Sequence, residues 1–285
     1  MEQEIKEKIE KIGTPLKDWD IQIYRGILTG YNEAFIIDGK KKDELIAEDP
    51  KSAEVIRPIL RGRDVKRYGY ENQDLWLLFI PWHFPLQDDP TITGSSEIAE
   101  KEFEKQYPAV YNHLLKYKAE LLARNKAETG IRYEWYALQR WGAKYWGNFS
   151  KKKIMYPNMT KYLPFYLDDK GFMQNDKSFM ITGNLLSYLV AFLNSSLFKY
   201  CFKDNFPELL GGTREVRKIF FDKIPVKQVD DSVDEKFNQI ITEIQNKKEN
   251  GLNTLYLEKE VDQMIFDVYD LTDDERNAIG FIEIK

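Results

Sequence analysis

The chain has 285 residues and a formal net charge of -5, with 42% hydrophobic and 31% charged residues. This balance is typical of a globular protein and excludes a disordered chain and an integral membrane protein. The single cysteine, Cys201, excludes an internal disulfide, which suits a reducing cytoplasm. The charged start MEQEIKEKIEKIG is not a secretory signal, so we expect a cytoplasmic protein of one large domain or two smaller ones.

The first half of the sequence predicts helices separated by short strands. Isoleucines at positions 5, 9 and 12 recur at helical spacing near the start, and LWLLFI reads as a buried strand. A long helical stretch should break at Pro108, because proline removes a backbone donor. Helices are expected over residues 2–12, 51–60 and 95–126. Residues 19–37 are expected to form a strand, a turn and a second strand, and residues 75–80 a further strand.

The second half predicts short strands, one apolar helix and a helical end. Strands are expected within residues 153–167 and 179–182, and the apolar run after Gly183 predicts a core helix. Two further helices with apolar faces follow, the first started by a Ser232–Glu235 capping box, and Thr272 with Glu275 starts a third. The fold class is therefore α+β: a mixed, β-rich body with inserted helices over 14–228, followed by a C-terminal helical hairpin.

Charge is distributed unevenly along the chain. Residues 230–285 carry 15 acids and 6 bases, a balance of -9, whereas residues 116–161 carry 11 bases and 3 acids, a balance of +8. The stretch IRPILRGRDVKRY (56–68) adds five cations against one acid. A basic face in an acidic protein is a footprint for a polyanion, although a charge run taken alone is more often a solvated face.

Aromatic residues alternate with cations in the second basic region. The window 132–146 contains Arg132, Tyr133, Trp135, Tyr136, Arg140, Trp141, Lys144, Tyr145 and Trp146. Aromatic rings beside cations are typical of surfaces that bind nucleic acid. The alternative is a packed aromatic core, which the sequence leaves open.

Several catalytic signatures are absent from the sequence. His83 and His113 are far apart and have no cysteine pair nearby, which argues against a zinc site. Neither phosphate-binding glycine motif occurs. No two prolines are adjacent, as an Asn-Pro-Pro-Tyr methyltransferase site requires, and no Pro-Asp pair starts a nuclease signature. We therefore expect no catalytic residue, cofactor or metal ion in this chain alone.

Seven phrases occur in an order that resembles one family. They are RGILTGYNEAFIID (25–38), AEVIRPILRGRDVKRY (53–68), LWLLFI (75–80), YEWYALQR (133–140), KKIMYPNM (152–159), SYLVAFLNSSLFKY (187–200) and GGTREVRKIFFDKIPV (211–226). The chain resembles the TaqI-like C-terminal specificity domain, the target recognition domain of type IIG restriction-modification enzymes and related adenine-specific DNA methyltransferases. The resemblance covers nearly the whole chain, and TGYNEAF and PILRGRD are its most specific pieces. The tail from DKIPV onward also resembles type I specificity subunits.

The resemblance implies a function and a domain organisation. It implies sequence-specific recognition of double-stranded DNA in bacterial defence, which positions DNA for methylation, and for cleavage, by a catalytic domain absent from this sequence. S-adenosylmethionine is implied for the parent enzyme, a site-specific adenine methyltransferase or type II restriction endonuclease, with Mg²⁺ if a nuclease is attached. We expect a fragment or a stand-alone recognition subunit. Residues 1–13 would link it to an upstream methyltransferase domain, 14–228 would form the target recognition domain, and 229–285 a helical spacer or docking segment.

Five regions supply the expected DNA contacts. Arginine can bind guanine through two hydrogen bonds, and other cations should bind phosphates. The expected contact residues are Thr29, Tyr31 and Asn32; Arg57, Arg61, Arg63, Lys66 and Arg67; Trp135, Tyr136 and Arg140; Lys161; and Thr213 and Arg214. A simple hairpin turn is the alternative for the first region. For the whole chain, a scaffold module with a basic face and an enzyme with an unrecognised active site remain the alternatives.

Overall fold

The computed structural model describes residues 1–283, so the last two residues of the expected segment 229–285 lie outside it. The helices are α1 (Glu2–Ile12), α2 (Asn32–Phe35), α3 (Gly39–Glu48), α4 (Glu97–Gln106), α5 (Pro108–Leu115), α6 (Lys118–Ala123), α7 (Leu186–Asn194), α8 (Ser196–Phe202), α9 (Lys218–Phe221), α10 (Asp231–Glu249), α11 (Leu255–Val268) and α12 (Asp273–Ile279). The strands are β1 (Thr14–Pro15), β2 (Ile21–Arg25), β3 (Ile36–Asp38), β4 (Ile56–Leu60), β5 (Val65–Lys66), β6 (Gly69–Tyr70), β7 (Leu75–Leu78), β8 (Lys153–Pro157), β9 (Met159–Thr160), β10 (Tyr166–Asp168), β11 (Met173–Gln174), β12 (Ser178–Gly183), β13 (Arg214–Glu215) and β14 (Pro225–Val226).

The mixed α+β class with C-terminal helices is confirmed. With 3₁₀ segments and isolated bridges included, helical residues make up 46% of the described residues and strand residues 18%, because the strands are short. None of the helices over residues 1–283 combines the length and the apolar character needed to cross a lipid bilayer.

Two four-stranded sheets form the centre of the fold. The first has the order β10-β8-β12-β2, with every pair antiparallel. The second has the order β11-β4-β7-β3, in which β11 and β4 are parallel and the other pairs antiparallel. Short antiparallel pairs join β1 with β14, β9 with β13 and β5 with β6.

The chain passes from one sheet to the other in three residues. Residues 175–177, which we call the crossover turn, connect β11 of the second sheet to β12 of the first. The backbone after β2 is hydrogen-bonded on both sides of the crossover turn. Ile27 N donates to Gln174 O at 2.7 Å, and Gly26 N donates to Ser178 O at 3.0 Å. The end of β2 is therefore fixed to both strands that flank the crossover turn.

Two glycines make close contact with the crossover turn. A Cβ atom added to Gly26 would lie 2.0 Å from the carbonyl oxygen of Asn175, and one added to Gly62 would lie 2.3 Å from that of Lys177. Gly62 N also donates to Asn175 Oδ1 at 3.1 Å. The glycines are required because backbone here packs directly on backbone.

Two large hydrophobic cores lie on opposite faces of the first sheet. Ile181 and Met180 are neighbours on β12, and successive strand residues point to opposite faces, so they belong to different cores. The first core joins α1, α7, α8 and the three C-terminal helices to the sheet. The second combines the second sheet with α4, α5 and residues 133–149. Residues 1–13 and 229–283 thus share a core with the body between them.

Most helices occur where the sequence predicts them. The helix at residues 2–12 and the break at Pro108 are confirmed, as is the Thr272–Glu275 capping box. The apolar helix is divided at Ser195, whose hydroxyl accepts a hydrogen bond from Phe198 N and caps α8.

Three local predictions are wrong. Residues 51–60 do not form one helix: a 3₁₀ segment, Pro50–Val55, leads into β4, because residues 56–58 pair with β7. Helix α10 is capped by Asp230, whose side chain accepts from Val233 N, and not by Ser232. Tertiary pairing overrides helix propensity in the first case. The third concerns residues 19–37: Asn32–Phe35 forms α2, and β2 and β3 belong to different sheets, so the turn between them is not a hairpin turn.

The close contact between Gly26 and the crossover turn can be tested by substitution. We expect Gly26→Ala to destabilise the protein by about 1–3 kcal/mol, because the new methyl group forces the crossover turn away from β2. Urea unfolding measures this free energy. The matched control is Gly147→Ala, since a Cβ there meets no atom within 4 Å. Equal stability of the two variants would contradict the proposed role of this contact.

Candidate nucleic-acid interface

The basic stretch 56–68 forms part of β4, a 3₁₀ turn (Gly62–Asp64) and a tight hairpin. Arg61 binds Asp64 through two hydrogen bonds, Nε to Oδ2 and Nη2 to Oδ1, both at 2.9 Å. Asp64 also accepts from the backbone N–H of Arg61 at 2.8 Å. The guanidinium of Arg61 therefore shapes the turn, and its charge is largely matched within the stretch.

Arg67 points into the protein interior. Its side chain is 3% exposed and forms an ion pair with Glu258 of α11 at 3.2 Å. Its guanidinium also lies over the ring of Phe281, 5.8 Å from the centroid. Arg67 thus attaches the basic stretch to the C-terminal helices, where it is not accessible to DNA.

Arg63 and Lys66 lie at the surface of the turn. Arg63 is exposed and forms no ion pair within residues 1–283. Lys66 donates to the carbonyl oxygen of Arg63 and lies 3.4 Å from Glu71. Both line a cleft of about 330 Å³ whose other side is formed by β9 and Tyr162. Arg57 is also exposed, on β4, but its position is outside this cleft.

The TGYN turn is built by its own side chains and by one buried arginine. Thr29 is buried; its hydroxyl donates to Asn32 Oδ1 at 2.6 Å and accepts from Tyr31 N at 3.1 Å. Arg124 donates from below the turn to the carbonyl oxygens of Thr29, Trp135 and Ala137. Burial lowers the pKa of Arg124 to about 10, so it stays charged at neutral pH. Asn32 is left exposed, and Tyr31 is half-buried.

The aromatic residues of YEWYALQR divide between core and surface. Trp135 is buried and donates from Nε1 to Glu100 at 2.7 Å, and Tyr136 is fully buried and donates to the carbonyl oxygen of Phe84 at 2.8 Å. Burial raises the pKa of Tyr136 far above its usual value. The packed-core alternative therefore describes the positions of both residues, whereas Arg140, at the end of the phrase, is exposed.

The glycine loop near residue 212 depends on another buried arginine. Arg214 donates to the carbonyl oxygens of Lys203 and Phe206, and it pairs with Asp204 at 2.8 Å. Thr213 is half-buried, and its carbonyl oxygen accepts from Leu209 N. Lys161, one residue after β9, is exposed.

The segments that carry the exposed cations contact one another through their backbones. Leu28 and Arg140 exchange two backbone hydrogen bonds of 2.9 and 3.0 Å, which places Arg140 beside the segment that follows Arg25. The crossover turn contacts this segment on one side and Gly62 on the other. The carbonyl oxygen of Lys177 in the same turn accepts a hydrogen bond from Asn158 N, which lies next to β9. We call these exposed or half-exposed cations the basic stripe: Arg25, Arg63, Lys66, Arg140, Lys144, Lys161 and Lys177.

Three stripe residues were missed by sequence reasoning. Arg25 and Lys177 carry no local signal, because they become neighbours only through the crossover turn. Both lie 3.5 Å from the carboxylate of Asp176. Lys144 lies in the aromatic window 132–146, close in sequence to Arg132 and Arg140, and this local pattern could have identified it as a contact residue.

Carboxylates along the stripe partly balance its charge. Glu128 accepts from Arg140 at 2.7 Å and from Arg132 at 2.9 Å, and the Arg140 hydrogen bond lowers the pKa of Glu128. Water screens both pairs from the arginine side, because the side chains of Arg132 and Arg140 are 59% and 48% exposed. These arginines can therefore exchange a carboxylate for a phosphate at small cost. Among residues 1–283 no group of three or more acidic, histidine or cysteine side chains is placed to hold a metal ion.

The chain is similar to a curated methyltransferase and to two solved structures. The type II methyltransferase M.MjaIV of Methanocaldococcus jannaschii is 26% identical over 249 residues, which cover 84% of this chain and 76% of the relative. Two solved structures share the fold at 13% identity. They are the type IIL restriction-modification enzyme MmeI in complex with DNA, with a TM-score of 0.61, and the type IIG restriction endonuclease BpuSI, with a TM-score of 0.51.

The matches differ in how much of each protein they include. The alignment covers 92% of this chain but 34% of MmeI, and 94% of this chain but 33% of BpuSI. The chain thus spans about a third of the length of these two structures. The family model described as the TaqI-like C-terminal specificity domain matches residues 57–226, more than half of the sequence. The chain belongs to the TaqI-like C-terminal specificity domain family.

Proposed function

We propose that this chain recognises a specific sequence in double-stranded DNA on behalf of a restriction-modification enzyme that methylates adenine. The observation that carries the proposal is the basic stripe, a set of exposed or half-exposed cations on backbone segments that contact one another, in a protein of net charge -5. Phosphate contacts supply affinity and register, and contacts to base edges supply sequence preference. The family of the chain supports the same role.

Within the stripe we assign two kinds of contact. Arg63, Lys66, Lys161 and Lys177 are long, exposed cations suited to phosphates. Asn32 and Arg140 carry the side-chain types that bind adenine and guanine in the major groove, and both are exposed beside the TGYN turn. Of the other residues expected from the sequence, Thr29, Arg61, Arg67, Trp135, Tyr136 and Arg214 would position these groups, and Tyr31, Arg57 and Thr213 remain weaker candidates for contact.

The parent enzyme would supply the chemistry. In this proposal a methyltransferase domain upstream of residues 1–13 binds S-adenosylmethionine and transfers the methyl group, and an attached nuclease would use Mg²⁺. Residues 14–228 would form the recognition unit, and the acidic residues 229–285 would face away from DNA as a spacer or docking segment. None of these cofactors is assigned to side chains of this chain.

The cations of the basic stripe should determine the affinity for duplex DNA. The triple variant Arg63→Ala, Lys161→Ala, Lys177→Ala should bind duplex DNA more weakly than the unchanged protein, for which we expect a Kd of about 1 μM or lower at low salt. The plot of log affinity against log salt should become shallower by roughly 0.9 for each phosphate that the variant no longer binds. Fluorescence anisotropy across a salt series measures both quantities.

A charge-matched variant controls this measurement. Lys11→Ala, Lys236→Ala, Lys259→Ala removes the same charge from exposed positions on α1, α10 and α11, outside the stripe. Its salt slope should equal that of the unchanged protein. If both triple variants lose the same affinity and slope, net charge alone governs binding and the stripe is not the DNA-binding surface.

Asn32 should contribute to the DNA sequence preference. Asn32→Ala should relax the preferred DNA sequence at one position, which corresponds to a loss of about 1–3 kcal/mol of discrimination, while the salt slope stays the same. Selection from a randomised duplex pool measures the preference. Glu33→Ala, an exposed neighbour on the same short helix, is the control and should select the original sequence. An unchanged preference in Asn32→Ala would remove this residue from base recognition.

Two other outcomes would favour the alternative functions. Methyl transfer from S-adenosylmethionine, or DNA cleavage, by this chain alone would indicate an enzyme with an unrecognised active site. Indifference to DNA at low salt, together with tight binding to an acidic protein, would indicate a scaffold module.

A further inference from the structure

A cavity of about 350 Å³ opens beside Arg140 at one end of the basic stripe. Its wall is mainly aromatic and apolar, formed by Trp82, Trp141 and Tyr145 together with Leu28. This volume is at the lower end of the range for small-molecule sites, which suits one planar ring system and not an extended ligand.

Two of the wall rings are held rigidly by parallel neighbours. Trp82 stacks on Tyr133 with centroids 4.7 Å apart and an interplanar angle of 14°, and its Nε1 donates to Leu138 O at 2.8 Å. Tyr145 stacks on Tyr24 at 4.6 Å and 9°, and its hydroxyl donates to the carbonyl oxygen of Arg25. Since these rings are already ordered, little side-chain entropy is lost when a ligand stacks on them.

Cations surround the cavity. Arg25, Arg140 and Lys144 all contribute to its lining, and the guanidinium of Arg140 lies 5.9 Å from the ring centroid of Trp82. The carboxylates that face these cations are Asp176, 3.5 Å from Arg25, and Glu128, paired with Arg140. Lys144 is exposed and forms no ion pair within residues 1–283. An aromatic cavity with a cationic rim is complementary to a flat base attached to a phosphate.

We propose that this cavity holds a single base displaced from the duplex that the basic stripe binds. The inference rests on the proposed function, since the stripe must first hold the backbone of that duplex. Pulling a paired base from the stack costs at least as much free energy as stacking that base on an aromatic surface recovers. The cavity therefore favours a base that is already unpaired or that becomes unpaired when the duplex is distorted.

The test uses the full chain and two duplexes that differ by one unpaired adenine. The protein should bind the duplex with the extrahelical adenine ~10-fold more tightly than the fully paired duplex, as expected for one stacked base. Trp141→Leu should abolish this preference and leave the affinity for the paired duplex unchanged. Trp141→Phe, which keeps an aromatic ring, should retain most of the preference.

A spectroscopic measurement on the unchanged protein removes dependence on the variants. When 2-aminopurine replaces the extrahelical adenine, its emission should be quenched on binding, because the base stacks against Trp and Tyr rings. Unquenched emission would overturn the inference. So would equal affinity for the two duplexes, or a preference that persists in folded Trp141→Leu.

The experiment also separates this inference from the proposed function. Failure to bind either duplex at low salt would overturn both. Salt-dependent binding of the paired duplex without a preference for the extrahelical base would overturn the base-binding cavity alone. Arg63→Ala provides the reference, since it should weaken binding to both duplexes by the same factor.

Discussion

The three-residue crossover turn is the constraint on which the rest of the structure depends. It connects β11 of one sheet to β12 of the other, and β2, β4 and the segment before β9 each form backbone contacts with it or with the strand ends beside it. Cations from distant parts of the sequence become neighbours because their backbones converge there. A turn fixed by main-chain contacts leaves side chains such as Lys177 available for a ligand.

Charge in the basic stretch divides between two tasks. Arg61 and Arg67 are paired with Asp64 and Glu258, so they determine the shape of the turn and its attachment to α11. Arg63 and Lys66 lie at the surface. Breaking a buried ion pair costs more than breaking an exposed one, so the two sets should respond differently to salt. The inner pairs persist, while the outer cations can exchange partners. A rigid frame carrying loosely paired surface charges is suited to a polyanion.

The sequence predicts much of the fold and less of the site. Helical periodicity located α1, and the proline and capping signals located the break at Pro108 and the start of α12, because these signals are local. The helix expected over 51–60 failed because pairing with β7, far along the chain, decides its conformation. The local charge predicted the basic stretch, but nothing near these residues in the sequence shows that Arg63 is exposed and Arg67 buried. Arg67 is buried against Glu258, which lies nearly two hundred residues away in the chain. Arg25 and Lys177 were missed for the same reason.

The first core also determines how this domain can be transferred between proteins. Ile5, Phe237 and Ile279 pack in the same cluster, and Lys8 of α1 pairs with Glu275 of α12 at 3.0 Å. A chimaera that took residues 14–228 alone would expose the apolar surface that these helices cover, and Arg67 would lose its ion pair with Glu258. Recognition domains of this architecture should therefore be grafted with both flanking helical segments, so that the transplanted domain keeps its complete hydrophobic core.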